Sequence, residues 1–253
     1  MILIRKWTTR SRSSAESWVV PGTAIHERVD RGMLLLLMII PVPFVLHIFL
    51  GGMTPPFDFD VCEYHLQGPK EWLQNGSIQP LEHNVYTSFP FLSEMLSLNA
   101  MVLEGDWWQG AITGKLAMTS FQFLSAICLF AICQRWIGTV PGWIAAIALL
   151  STPWTTRISI IAYSAGAITF YLVASIMGGL LVSATSNTRH CWRCVALTGF
   201  LAGSAMAAKY PGLVSVVIPV ALFVAWCVWR SPTSSTLRQK SASRQVGFPP
   251  GTK

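Results

Sequence analysis

Apolar residues in this chain fall into six long runs, near residues 33–51, 110–134, 139–153, 159–184, 193–208 and 211–229. A helix rises 1.5 Å per residue and needs roughly 20 apolar residues to cross the hydrocarbon of a bilayer. The pattern therefore predicts an all-α, polytopic membrane bundle of about six spans. The third run is short, and Pro153-Trp154 at its end predicts a helix stop beside an interfacial aromatic anchor. Connections between runs are short except between the first and second. There, nearly sixty residues, 52–109, form a loop of the length that usually carries function or structure of its own.

The loop has its own periodicity. From Asp60 to Asn75 the pattern suits a helix lying at the interface, with Val61, Tyr64, His65, Gly68, Trp72 and Leu73 toward one broad face and Asn75-Gly76 as its end. After an extended Phe89-Pro90 turn, a second helix is expected with Ser93 or Glu94 in its first turn. It returns the chain to the membrane at Trp107-Trp108, read as interfacial anchors.

Composition excludes a soluble core as the explanation. Hydrophobic residues make up 52% of the 253 positions and charged ones 11%, roughly half the charge of an ordinary soluble domain. The net charge of +7 does not point to nucleic acid, because the basic residues are dispersed instead of forming a patch. No signal peptide is expected, since some thirty polar residues precede the first run. The six cysteines mostly lie in or beside apolar runs, and Cys191-x-x-Cys194 lacks the second ligand pair of a zinc site, so both read as structural.

Charge sets the expected orientation. Fourteen of the eighteen Lys and Arg residues lie at the two ends or in the loops on their side, and the cytoplasmic side carries such an excess. Both termini are therefore expected in the cytoplasm. Eight of the eleven acidic residues fall in the 52–109 loop, which is then outside. The organisation expected is a basic N-terminal segment (1–32), a membrane domain (33–229) and a disordered polar tail (230–253).

Candidate chemistry gathers at the loop. On a helix Asp60, Glu63 and Tyr64 stand at i, i+3 and i+4 and share a surface. Two carboxylates that close repel, which favours one holding a proton and suits general-base work. The alternative is that Asp58 and Asp60 only cap the helix while Glu63 faces water. Lys209, at the outer end of the fifth run, is either a snorkelling interfacial residue or a point charge for a phosphate. Lys115, one turn inside the second run, is costly unless paired and is a partner candidate for a loop carboxylate.

These residues resemble a known family. Asp60-x-x-x-Tyr64-His65-Leu66, Pro69-Lys70-Glu71-Trp72-Leu73-x-Asn75-Gly76, Asn84-Val85-Tyr86 with Phe89-Pro90 and Glu94, and Gly199 to Gly203 followed by Lys209-Tyr210 carry the likeness. Together they resemble the GT-C membrane glycosyltransferases, in the bacterial branch that is protein-mannosyltransferase-like and aminoarabinose-transferase-like. The resemblance covers roughly 33–229 and implies interfacial helices over a cavity between spans. It further implies transfer of a sugar from a polyprenyl-phosphate donor to an acceptor, not identified by the sequence, on the outer face of a bacterial inner membrane. Asp60 would be the catalytic carboxylate with Glu63 beside it, and Tyr64, His65, Lys209 and Tyr210 would bind substrate. No cofactor is established, and a divalent metal at the carboxylates is compatible with the wider class. The alternative expectation is a truncated, non-catalytic remnant or accessory subunit of such an enzyme.

Overall fold

The computed structural model describes residues 30–185 and 187–230. The expected basic N-terminal segment and disordered tail lie almost wholly outside them. Among the described residues every regular element is a helix or helical turn, and none is a strand.

Helices α1 (Arg31–Ile39) and α2 (Val42–Gly52) are two halves of one apolar rod. The rod breaks at Ile40–Pro41, where proline offers no N–H to the preceding turn. Asp30 starts α1 by accepting a hydrogen bond from the Gly32 N–H at 3.0 Å. The long loop then folds as a π turn (Val61–His65), α3 (Gln67–Asn75), a 3₁₀ turn (Val85–Ser88) and α4 (Glu94–Glu104). Gly76 and Gly105 close α3 and α4 in the left-handed conformation, at φ 66° and 67°, where a side chain would be strained. The buried face of the π turn and α3 includes Val61, Tyr64, His65, Gly68 and Trp72, as the periodicity predicts.

Asp106 caps the 30-residue α5 (Trp107–Trp136) by accepting from the Gln109 N–H at 2.8 Å. Next come α6 (Thr139–Ser151), α7 (Pro153–Ile160), α8 (Ala165–Ala184) and α9 (Thr188–Ala208), followed by a π turn (Leu213–Val217) that runs into α10 (Ile218–Arg230). Pro153 ends α6 as expected, but it also opens α7. The fourth run therefore splits: its first residues finish α7, a turn follows, and the long helix starts only at Ala165.

Four segments, Arg31–Gly52, Trp107–Trp136, Ala165–Ala184 and Thr188–Ala208, are long and apolar enough to cross a membrane, and Thr139–Ser151 and Leu213–Trp229 are apolar but shorter. Their polarity is arranged for lipid. Lys115, Thr119, Gln122 and Ser125 on α5 are buried, while Leu46, Leu50, Ile127, Phe200, Leu222 and Trp229 are exposed. So much apolar surface is foreign to a water-soluble monomer and ordinary for a helix bundle in a bilayer.

Helix α5 is the hub, packing on α2, α4, α6, α7 and α8, while α8 also packs along α9. The α4–α5 hairpin closes through glycine. A Cβ on Gly110 would lie 2.2 Å from the Met101 Cα, and one on Gly114 would lie 2.5 Å from the Ser97 Cα. Small residues four apart let two backbones approach this closely. The loop is thereby fixed to the bundle, and Leu92 N–H adds a bond to the Ala207 carbonyl at 3.0 Å, tying it to the end of α9.

Candidate functional site

The chain enters the loop through Phe57-Asp58-Phe59-Asp60, in which both phenylalanines are at least 72% exposed and the aspartates are half-buried. Alternation sends the rings outward and the carboxylates inward. There they meet Tyr163, in the turn between α7 and α8. Its hydroxyl donates to Asp58 Oδ1 at 2.6 Å and lies 3.3 Å from Asp60 Oδ2. Asp60 makes no side-chain cap bond to the π turn, so its carboxylate is turned to the site and not to the helix end.

The two aspartates are held unequally. Asp58 has the short bond from Tyr163 and also faces Arg157 Nη2 at 4.0 Å. That guanidinium is 63% exposed and adds little. Among the described residues Asp60 has only the longer contact, which leaves most of its acceptor capacity free for a ligand. Burial, the bond to Asp58 and the charges of Asp58 and Asp60 push the Tyr163 phenol well above the ordinary tyrosine value, so it stays a donor.

Tyr64 forms the next wall. It is buried and stacked on Tyr86 at 5.0 Å, and its hydroxyl lies 3.5 Å from Lys209 Nζ. Burial and then the Asp60 charge push its pKa up to about 12, with Glu94, Tyr86 and Glu63 adding to the shift. Lys209 reaches this wall because α9 ends in extended backbone there, and Tyr210 packs edge-on against Phe89 at 5.7 Å. Behind Tyr64, His65 Nδ1 pairs with Glu94 Oε1 at 2.5 Å, and Ser93 donates to Glu94 Oε2 at 2.8 Å. Both members of the pair are 2% exposed or less. The ring of His65 lies 5.3 Å from that of Tyr163. The loop thus brings Asp60, Tyr64, His65, Lys209 and Tyr210 into one neighbourhood.

Glu63 goes elsewhere. Its side chain is exposed and lines a separate cavity of about 310 Å³ with Glu71, His83, Asn84 and Tyr86. Sharing of one surface by Asp60 and Glu63 was an α-helical expectation. The segment is a π turn, which closes i to i+5 and takes more residues per turn, so i and i+3 part company.

Lys115 also departs from expectation. It is fully buried and donates to the Thr54 carbonyl at 2.7 Å and the Thr54 hydroxyl at 2.9 Å, not to a carboxylate. An unpaired cation within a span costs about 2.5–3.5 kcal/mol on insertion scales. Two bonds from a charged donor return about 1.5–3 kcal/mol each. Among the described residues the lysine is therefore accommodated without a counter-ion, and it pins Thr54, the residue that precedes Pro55-Pro56.

Tyr163 carried no signal in the sequence. Ala162, just before it, has φ 60°, the one positive φ at a non-glycine among the described residues. Such a conformation costs on the order of 1–3 kcal/mol and persists where packing over-determines it. Ala162 is 1% exposed and packs with Val61, Leu66, Met101, Ala111 and Met118.

Among the described residues no three His, Cys, Asp or Glu side chains converge on a point. Among these residues a divalent ion here would find two acidic ligands, Asp58 and Asp60, beside Tyr163. Compared with protein-family models, with curated proteins and with solved structures, the chain matches none.

Proposed function

We propose that this chain is a six-span membrane glycosyltransferase of the GT-C type, moving a sugar from a polyprenyl-phosphate donor to an acceptor at the outer face of a bacterial inner membrane. The observation that carries the reading is the available carboxylate of Asp60, placed where a membrane helix gives way to a loop and walled by Tyr64 with Lys209 beyond it. A carboxylate at that level can meet a lipid-borne phosphate and a water-borne acceptor together. In the reaction, Asp60 takes the proton of the acceptor nucleophile as the nucleophile attacks the anomeric carbon. The bond from that carbon to the phosphate oxygen breaks, and polyprenyl phosphate leaves with the negative charge. Lys209 complements that charge, and the Tyr64 hydroxyl 3.5 Å from its amine keeps its proton to about 12 under the influence of burial and the Asp60 charge.

The phosphate role is tested by binding. Lys209→Ala, in protein held in lipid nanodiscs, should weaken association with polyprenyl phosphate about tenfold, the scale of one lost charge-assisted contact. Undiminished binding would remove Lys209 from the site.

Orientation follows from the basic residues and is tested by labelling. In a cysteine-free background, Ser77→Cys in the loop should react with an impermeant thiol reagent applied from outside intact cells. Asn187→Cys, in the α8–α9 connection, should react only after permeabilisation. The reverse pattern would invert the protein and put the loop in the cytoplasm.

A further inference from the structure

We infer that Tyr163 is a positioning residue: its phenol, aimed by the left-handed turn at Ala162, ties down Asp58 and thereby leaves Asp60 as the reactive carboxylate. The inference rests on the proposed reading for its chemistry, but its geometry stands alone. Asp58 and Asp60 are two residues apart, Asp58 in the irregular stretch before Phe59 and Asp60 in the helical turn that begins there, and both half-buried carboxylates face Tyr163. The sharper distinction comes from 103 and 105 residues away, through one hydroxyl that is 2.6 Å from Asp58 and 3.3 Å from Asp60, while the exposed Arg157 guanidinium 4.0 Å from Asp58 adds little. A single O–H has one proton to give, and the shorter contact takes it.

The aim of that hydroxyl is built into the backbone. Ala162 accepts φ 60° between α7 and α8, and its neighbours in the core cluster are Val61 and Leu66 of the segment that follows the aspartates. The turn and the carboxylate segment are therefore packed on each other, and Tyr163 itself packs against the same cluster. Strain held at this point fits a residue that must be delivered to one position. High resistance of the phenol to ionisation keeps it a donor over the whole physiological range.

The experiment needs no enzymatic activity. The full chain is prepared in nanodiscs with carbon-13-labelled aspartate, and the carboxylate stretching band that disappears in Asp58→Asn is assigned to Asp58. Tyr163→Phe should shift that band toward the position of a water-exposed carboxylate while the melting temperature stays within a few degrees of the parent. Ala162→Val, which cannot easily hold φ 60°, should reproduce the shift, and Ala162→Gly, which can, should not. Should Tyr163→Phe unfold the protein, the two Ala162 variants decide the matter. A band that stays in place in Tyr163→Phe, or that responds equally to Ala162→Val and Ala162→Gly, overturns the inference. Where transfer is measurable, Tyr163→Phe should lower kcat on the order of 10²-fold, the cost of a base displaced by about 1 Å, with KM nearly unchanged. Band shifts of the expected kind in a protein that transfers no sugar would uphold the clamp and refute the glycosyltransferase reading.

Discussion

Asp60→Asn is expected to lower sugar transfer by two or more orders of magnitude while leaving folding and membrane insertion intact. Asparagine keeps the shape of the side chain and can still accept from Tyr163, so the 3.3 Å contact survives. What it loses is the ability to take a proton, and general-base catalysis contributes about 10²–10⁴-fold. Asp58→Asn is the informative companion. It weakens the bond that anchors Tyr163 and frees the phenol to swing toward Asp60, so its loss should be intermediate, near tenfold by the lower end of what such positioning supplies. Equal and small effects of both substitutions would mean that the two aspartates serve only the entry to the loop.

Gly110→Val and Gly114→Val are expected to have the largest effect on stability. At Gly110 the first added atom would sit 2.2 Å from one Met101 backbone atom and 2.5 Å from another, and backbone cannot rotate aside as a side chain can. Ordinary overpacking costs about 1–3 kcal/mol. These clashes set a new side-chain atom against backbone that cannot move aside, so the cost should exceed about 3 kcal/mol and push α4 off α5. Because α4 begins with Glu94, the partner of His65, its displacement should dismantle the buried pair as well. Proteolysis of the loop in intact membranes would report this: α4 should become cleavable in either variant and stay protected in Gly199→Val. A Cβ at Gly199 meets nothing within 4 Å. Unchanged protection in Gly110→Val would contradict the packing described.

Local signals in the sequence were strong wherever one residue type has one physical meaning. Gly76 ends α3, Ser93 precedes α4, Pro153 ends α6, and the apolar positions of the loop find the buried face. Each follows from backbone geometry or from a two- or three-turn period. Misreadings came where a choice among local structures or partners was needed. A π turn and an α turn use the same residues, so nothing in Val61–His65 warned that Asp60 and Glu63 would separate. A lysine inside a span demands a partner but does not say which, and Lys115 took the Thr54 oxygens 61 positions away instead of a carboxylate.

The site was legible only on its loop side. Asp60, Tyr64 and His65 lie within six residues and announce themselves as a polar group beside an apolar run. Tyr163 is separated from Asp58 by 105 positions and sits between two apolar helices, where a tyrosine reads as one more interfacial aromatic. Only the path of the chain through α7 and the turn at Ala162 makes it a neighbour of the aspartates. The His65–Glu94 pair was hidden in the same way: each residue was noted for its place in a helix, and their meeting depends on α4 folding back along α5.

The measurement that bears most directly on the central claim is mass-spectrometric detection of polyprenyl phosphate released from a panel of polyprenyl-phosphate sugars by the purified chain in lipid nanodiscs. Time-dependent release from at least one donor is expected from the parent protein, with loss of that release by two or more orders of magnitude in Asp60→Asn. No release from any donor in the panel, or equal release by parent and Asp60→Asn, would contradict it.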